Sequence, residues 1–253
     1  MKSLDALSEM LDDAARYARA VAQLPAELNV EDAYEIQKKS IDRRLRRGEF
    51  RIGMKMGFTS RAKMVQMGVS DLIWGRLTDA MIREEGGMIR FTGYVHPRVE
   101  PEVAFVLRKP LSGRVTIPQA LDAVEAIVPA LEIIDSRYEH FKFSLTDVIA
   151  DNSSASSVVL GGWHLRDTDV ANLGMILSVN GRPKAFGSTA AILGGPVRSL
   201  VSAARMAGEA GEELTAGSIV MAGGATEAIS LSPGASIDLD IERLGRVTFT
   251  VST

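Results

Sequence analysis

The first fifty residues place their hydrophobic positions at helical spacing. Between residues 3 and 23 apolar side chains recur every three or four positions, which predicts an amphipathic helix that ends before Pro25. A second helix is predicted to begin after the N-cap Asn29 and to run to about Arg47, with Gly48 as its C-terminal stop. We therefore expect residues 1–50 to form a helical N-terminal part.

Beyond residue 50 the apolar positions come in short runs separated by glycine, proline and asparagine, a pattern typical of strands and turns. Strands are predicted at 50–58, 102–107, 128–134, 158–160, 173–179, 182–186, 218–222, 236–241 and 246–251. Helices are predicted at 117–126, 146–152 and 196–208, with a short one from Thr59-Ser60 to Met67. Because strands and helices do not alternate regularly and no repeat is evident, we predict an α+β fold with residues 51–253 as a catalytic β-rich domain.

Composition excludes several classes of function. The 253 residues carry a net charge of −3, whereas a nucleic-acid-binding domain is normally strongly basic. No apolar run approaches the ~18 residues that span a bilayer. The absence of cysteine removes disulfides, thiolate nucleophiles and cysteine zinc sites. The acidic N-terminus does not resemble a signal peptide, so a cytoplasmic protein is expected, with no membrane or nucleic-acid partner.

Three carboxylates on two predicted strands suggest a metal site. Glu100 and Glu102 are two positions apart, so in extended backbone they point to the same face. Glu132 interrupts a second apolar run, where a charge is seldom buried unpaired. Three converging carboxylates suit a hard divalent cation, Mg²⁺ or Mn²⁺. The alternative is a solvated strand edge, which the proline between the first two glutamates also fits.

Further candidates are weaker when taken singly. Lys55 lies in an apolar, glycine-flanked strand, where it either extends to the strand edge or works with a depressed pKa. With Asp79 it forms a possible acid/base pair. The turn that begins at Gly223-Gly224 could present backbone N–H groups to a carboxylate, or be a bare turn. A Ser-His-Asp triad, a Rossmann fingerprint and a P-loop are not supported.

A series of ordered motifs resembles the hydratase/decarboxylase branch of the fumarylacetoacetate hydrolase superfamily. The resemblance runs from about Glu31 to the C-terminus. Its motifs are Gly53–Ser60, Met67–Val69, Gly75–Met81, His96–Glu102, Glu132–Tyr138 and Ala150–Asn152. The segments more similar to the decarboxylase members than to the hydratase members are Lys55–Gly57 with Ala62–Val69, His96-Pro97 and Tyr138–Phe143. Trp74 and Arg76 depart from the family pattern.

The resemblance implies both a fold and a site. The fold would be a mixed β roll with a small helical N-terminal part. The metal ligands would be Glu100, Glu102 and Glu132, and the catalytic residues Lys55 and Asp79. Substrate-binding positions would be Ser157, Thr226 and Phe141.

The implied reaction is metal-dependent decarboxylation of 2-oxo-3-hexenedioate to 2-hydroxypenta-2,4-dienoate and CO₂ in meta-cleavage degradation of aromatic compounds. The alternative within the branch is hydration of 2-oxopent-4-enoate. The implied partners are a small 2-oxo-enedioate substrate, further copies of the chain in a homo-oligomer, and a homologous hydratase. A catalytically silent subunit and a small-acid binding module are alternatives from other classes, and retention of the glutamates and Lys55 argues against the first.

Overall fold

The computed structural model describes residues 3–60 and 71–253. The α-helices in these ranges are α1 (Leu4–Tyr17), α2 (Val30–Arg46), α3 (Ile117–Asp122), α4 (Leu145–Ala150) and α5 (Pro196–Glu209). The first strands are β1 (Arg51–Gly57), β2 (Ile73–Thr78), β3 (Ile82–Arg83), β4 (Met88–Ile89), β5 (Pro97–Leu107), β6 (Val124–Asp135) and β7 (Ala155–Leu160). They are followed by β8 (His164–Leu165), β9 (Gly174–Val179), β10 (Arg182–Ser188), β11 (Ile219–Met221), β12 (Ile229–Ser230), β13 (Ser236–Ile241) and β14 (Gly245–Val251).

The strands form two mixed sheets. A nine-stranded sheet has the order β2-β1-β11-β5-β6-β7-β3, with β12 paired to β5 and β8 paired to β6. A five-stranded sheet has the order β10-β9-β13-β14-β4. The long antiparallel pair β5–β6 lies at the centre of the larger sheet. The predicted α+β class with a mixed β roll is therefore confirmed.

The larger sheet buries both of its faces, because successive side chains on a strand point to opposite sides. One face contributes Val103 and Phe105 of β5 to a core that also contains Leu239 and Phe249 of the smaller sheet. The other face contributes Ala104, Val106 and Met221, which pack in one cluster with Ile41 of α2. The N-terminal helices thus cover the face that carries the even-numbered residues of β5.

The two N-terminal helices have clear start and stop signals. Asn29 caps α2 through a reciprocal pair of hydrogen bonds with Asp32. Gly48 has a φ of +99°, a left-handed backbone conformation that glycine adopts easily after the end of a helix. The first predicted helix was too long. The chain leaves α1 at Ala18, which adopts the left-handed region at φ 49°, and Val21 then forms a β-bridge with Tyr138.

The predicted hairpin is also present. Asn180 and Gly181 both have positive φ, as a type I′ turn between β9 and β10 requires. The short helix predicted from Thr59-Ser60 to Met67, and the motif at 62–69, fall largely or wholly outside the described residues. Among the described helices none is long and apolar enough to cross a membrane.

Candidate metal centre

The strand register brings the three glutamates together. Glu100 on β5 lies directly opposite Glu132 on β6, and Glu102 lies opposite Ala130. Residues opposite each other in an antiparallel pair share a face, and so do residues two apart on one strand. All three carboxylates therefore leave the same side of the sheet, and the small side chain of Ala130 leaves space in front of Glu102.

The three carboxylates form a buried cluster. One oxygen from each of Glu100, Glu102 and Glu132 lies within 4.8 Å of the other two. Glu102 and Glu132 are 0% exposed, and Glu100 is 6% exposed. Within the described chain, Oε1 of Glu102 and Oε1 of Glu132 have no hydrogen-bond partner. Buried carboxylate oxygens without a donor are costly, so this arrangement fits a divalent cation better than it fits a structural role.

Lys55 points into the same cluster. It pairs with Met221 of β11, which in turn pairs with Ala104 of β5, so Lys55 shares the face of the glutamates. Its Nζ lies 3.1 Å from Oε2 of Glu132 and donates to the carbonyl of Ser153 at 3.0 Å. The lysine therefore does not extend to the strand edge, which was one of the two readings of its sequence context.

Burial and mutual charge shift the pKa values of these groups. Burial raises the pKa of Glu102, and the neighbouring charge of Glu132 raises it further. Burial likewise raises the pKa of Glu132, although the ammonium of Lys55 opposes the shift. Burial alone would lower the pKa of Lys55, but the charges of Glu132, Glu100 and Glu102 outweigh it and raise that pKa. The expectation of a depressed lysine pKa is thus wrong for the protein without metal.

A glycine turn closes one side of the cluster. The N–H of Gly223, two residues after the end of β11, donates to Oε2 of Glu102 at 2.8 Å. A Cβ on Gly224 would lie 2.9 Å from the carboxyl carbon of Glu100 and 3.0 Å from its oxygens. The turn therefore does present a backbone N–H to a carboxylate, as one of its two readings predicted, and that carboxylate is the protein's own.

A strained turn holds the carbonyl that Lys55 contacts. Asn152, Ser153 and Ser154 are buried and have positive φ values of 52°, 51° and 59°. The Asn152 side chain accepts from the N–H of Arg76 and donates to its C=O, each at 2.8 Å. A Cβ on Gly75 would lie 2.4 Å from the carbonyl oxygen of Asn152. This contact ties the turn closely to β2, beside Lys55.

The structure does not bring Asp79 to the cluster. Asp79 follows β2, is exposed, and its carboxylate accepts from the N–H of Phe50 at 2.8 Å. Phe50 precedes Lys55 by five residues of extended chain, which corresponds to roughly 16 Å at ~3.3 Å per residue. The carboxylate of Asp79 holds the beginning of β1, and its catalytic role stays a prediction.

Ser157 is also directed away from the glutamates. It pairs with Ile133, one position beyond Glu132, and so lies on the opposite face of the sheet. There its Oγ lies 2.9 Å from the hydroxyl of Tyr94. The substrate-binding role expected for Ser157 stays a prediction, which this orientation does not favour.

The other two predicted substrate contacts lie closer to the cluster. Thr226 is half-buried, two residues after Gly224, and its hydroxyl donates to the carbonyl of Glu227 at 3.0 Å. Phe141 is half-buried, and its ring centroid lies 3.7 Å from the guanidinium carbon of Arg98. Arg98 precedes Glu100 by two residues on β5, so Phe141 lies at the end of the carboxylate face. Their roles stay predictions.

Several residues of the site were not assigned a role from the sequence. Asn152 lies in a motif that carries the resemblance, but its hydrogen bonds to Arg76 depend on tertiary pairing. Gly75 and Gly224 belong to segments that the sequence singled out, but neither was given a role of its own. Their importance follows from how closely Asn152 and Glu100 approach them.

A buried set of three carboxylates with one ammonium, on the face of a mixed β roll, is suited to hold a divalent cation. The model of the fumarylacetoacetate (FAA) hydrolase C-terminal family matches residues 53–252. The chain belongs to this family.

The comparisons also identify similar proteins of named activity. A 4-oxalocrotonate decarboxylase from Pseudomonas sp. is 54% identical over 97% of this chain and 97% of its own length. A 2-hydroxyhexa-2,4-dienoate hydratase from Comamonas testosteroni is 34% identical over 96% of this chain and 95% of its own length. The solved structure of 4-oxalocrotonate decarboxylase from Pseudomonas putida G7, complexed with magnesium and adipate, has a TM-score of 0.95 and 34% identity. It covers 98% of this chain and 97% of the neighbour.

Proposed function

We propose that this protein is a Mg²⁺- or Mn²⁺-dependent decarboxylase that converts 2-oxo-3-hexenedioate to 2-hydroxypenta-2,4-dienoate and CO₂ in aromatic catabolism. The observation that carries the proposal is the convergence of Glu100, Glu102 and Glu132 around one point beside Lys55. The 54% identity to a 4-oxalocrotonate decarboxylase supports this substrate, as does the similar structure that holds magnesium and a six-carbon dicarboxylate.

Glu100, Glu102 and Glu132 would hold the cation. Bound there, it would supply Lewis acidity toward the 2-oxo group and one carboxylate of the substrate. In the reaction the bond between C5 and the departing C6 carboxylate breaks. Its electron pair forms the C4–C5 double bond, the C3–C4 pair moves to C2–C3, and the negative charge reaches the 2-oxo oxygen.

Lys55 is placed to act on that oxygen. Its ammonium has three N–H donors, of which one reaches the Ser153 carbonyl and one the Glu132 carboxylate. A further N–H of the ammonium would donate to the developing oxyanion and then protonate it, which would yield the 2-hydroxydienoate. The surrounding face is apolar, with Val158 and Met221 fully buried on it. Such surroundings favour neutral CO₂ over its parent carboxylate.

The contacts of Lys55 favour decarboxylation over hydration. Adding water to an alkene needs a group that activates the water, whereas loss of CO₂ needs an electron sink and one proton. The charges that raise the pKa of Lys55 come from the three glutamates. Asp79 lies beyond the end of β2, where it contacts Phe50. Hydration by the same branch is the second candidate, because a hydratase of 34% identity covers 96% of the chain.

The test measures CO₂ release and product absorbance with 2-oxo-3-hexenedioate, with Mg²⁺ and after its chelation. Glu102→Gln should reduce metal affinity by about tenfold or more, because a neutral amide replaces an anionic ligand. The matched control is Glu125→Gln, an exposed position on the same β6 strand that carries Glu132. Turnover that survives chelation, or hydration of 2-hydroxypenta-2,4-dienoate without release of CO₂, would refute the proposal.

The proposed setting is also testable. We propose a cytoplasmic homo-oligomer that associates with a hydratase consuming its product, because decarboxylases and hydratases of this branch act on successive intermediates. Co-purification with such a hydratase and sedimentation of the isolated protein would test both parts of this setting.

A further inference from the structure

A polar cavity lies outside the carboxylate cluster. It has a volume of about 420 Å³ and is lined by residues that include Arg44, Arg83, Arg90, Tyr94 and Ser156. We call it the arginine cavity. Its volume is within the range of small-molecule sites, about 300–1,000 Å³. Neither the three glutamates nor Lys55 lines it, and none of its lining residues is acidic.

The three guanidinium groups come from separate elements of the fold. Arg44 belongs to α2, Arg83 to β3, and Arg90 directly follows β4. Like charges that line one concave surface raise its positive potential and repel one another unless an anion lies between them. Because the three arginines come from different elements, they are not the basic last turn of a single helix.

Arg44 differs from the other buried arginines in its partner. The Nε of Arg137 lies 2.6 Å from Asp151, and Arg76 donates to Glu212. Arg44, whose side chain is only 15% exposed, has its carboxylate contact at 3.8 Å, to Oδ1 of Asp12.

That oxygen of Asp12 is already engaged. The Nη2 of Arg47 donates to it at 2.7 Å, and Asp12 Oδ2 accepts from Arg43 at 2.9 Å. Burial lowers the pKa of Arg44, and the nearby charge of Arg137 lowers it further. An anion in the arginine cavity would relieve both effects.

Arg83 and Arg90 also lack an anion. Arg83 donates from Nη1 to the carbonyls of Ala80 and Ile82 at 2.8 and 2.9 Å. Within the described chain neither arginine has a carboxylate within 4.0 Å. Residues 1–2 and 61–70 contain no aspartate or glutamate that could serve instead.

We propose that the arginine cavity binds a small multivalent oxyanion, a di- or tricarboxylate or a phosphate compound. Guanidinium groups form paired, charge-assisted bonds with carboxylate and phosphate oxygens, and Arg83 and Arg90 have N–H donors available for them. The hydroxyl of Ser156 lines the same space. Since the site lies outside the metal centre, the bound anion is a second ligand and not the substrate in its reacting position.

The test compares two anions and two double variants of the full chain. After removal of metal and dialysis, titration calorimetry measures binding of inorganic phosphate and of adipate. The double variant Arg83→Gln/Arg90→Gln should lower the affinity for the preferred anion about tenfold or more, because two charge-assisted contacts are lost. Arg114→Gln with Arg182→Gln removes the same net charge at exposed positions outside the cavity and should leave binding unchanged.

The outcomes separate the two oxyanion classes and the two sites. Saturable binding of phosphate alone assigns the cavity to phosphate compounds, and binding of adipate alone assigns it to dicarboxylates. The single variant Arg90→Glu, at an exposed position, provides a charge reversal that should abolish binding without loss of folding. Absence of saturable binding of both anions, or equal weakening in both double variants, overturns the proposal while leaving decarboxylation by the metal centre unaffected.

Discussion

The Nζ of Lys55 lies 3.1 Å from Oε2 of Glu132, and the two side chains are 4% and 1% exposed. The ammonium is thus the cation nearest to a cluster of three buried carboxylates within the described chain. Without metal it offsets part of the repulsion among them, as the raised pKa of Lys55 shows. With metal bound, the same group is available to a developing oxyanion.

Replacing Lys55 should therefore affect both the stability of the metal-free protein and the catalytic rate, and the two effects can be measured separately. Lys55→Met keeps the length of the side chain but removes the charge, so the glutamates lose their counter-charge. We expect the metal-free variant to melt at a lower temperature than the metal-free wild type, and the difference to narrow with saturating Mg²⁺. We expect kcat to fall about 100-fold or more even with saturating metal, because the oxyanion loses its donor.

The control for this prediction is Lys184→Met, an exposed lysine on β10. It should leave both the melting temperature and kcat unchanged. A Lys55→Met enzyme with normal kcat would show that Lys55 serves only to balance charge. Calorimetric melting with and without Mg²⁺, together with steady-state rates, decides whether Lys55 acts in catalysis or only balances charge.

The glycine turn beside Glu100 gives a second prediction. Gly224→Ala places a Cβ 2.9–3.0 Å from the Glu100 carboxylate, so that the carboxylate must move away from the other two. We expect affinity for Mg²⁺ to fall about tenfold or more, since ligand geometry governs binding of this ion. Gly162→Ala is the matched control, because nothing lies within 4 Å of its added Cβ. Unchanged Mn²⁺ affinity, measured by electron paramagnetic resonance, would contradict this account of Glu100.

The sequence predicted that Glu100 and Glu102 share a face because that signal is local. Glu100 and Glu102 are two residues apart on one strand, and that spacing alone places them on one face. The approach of Glu132 depends on the register of β5 with β6, which a charge inside an apolar run only suggests. The orientation of Ser157 also depends on register. Its pairing with Ile133, next to the Glu132–Val158 pair, directs it to the opposite face, so one residue decides that orientation.

The positions of Asp79 and of the buried turn depend on tertiary pairing, which the sequence does not show. Asp79 was paired with Lys55 because both belong to the resemblance, whereas the antiparallel pairing of β1 with β2 carries Asp79 away from Lys55. The carbonyl of Ser153 is a backbone group, so the residue type at this position does not reveal its contact with Lys55. Its partner Asn152 favours the left-handed region, but only the tertiary pairing with Arg76 shows what that conformation accomplishes.

The contact between Gly75 and the buried turn gives a third prediction. Gly75→Ala would force the carbonyl of Asn152, 2.4 Å from the new Cβ, to retreat and to draw Ser153 away from Lys55. We expect kcat to fall about tenfold or more, since misplacement near 1 Å has effects of this order. Affinity for Mg²⁺ should stay near that of the wild type, because the glutamates lie on other strands.

The split between kcat and metal affinity is the readout that a merely structural defect would not produce. Gly162→Ala again serves as the control. A parallel loss of Mg²⁺ affinity in Gly75→Ala would show that the whole site is disrupted, and that the turn has no specific part in positioning Lys55.

The ion pairs of Glu212 give a prediction on pH. Its carboxylate accepts from Arg51 of β1 at 2.5 Å and from Arg76 of β2, next to Gly75. Burial would raise the pKa of Glu212, but the charges of Arg51 and Arg76 outweigh it and lower that pKa below 4.5. A pKa that is lower in the folded than in the unfolded protein adds stability above the unfolded value. That stability is lost as the pH falls through the folded value.

The Gln side chain cannot ionise, so Glu212→Gln should be less stable than the wild type at neutral pH by about 1.5–3 kcal/mol, the usual range for hydrogen bonds to charged groups. The difference should narrow as the pH falls through the lowered pKa of Glu212, where the wild-type carboxylate also becomes neutral. Urea unfolding at neutral pH and at a series of acidic pH values measures both quantities. Glu213→Gln, at the exposed neighbouring position, should follow the wild type throughout. A constant difference across this range would mean that Glu212 acts by packing and not by its charge.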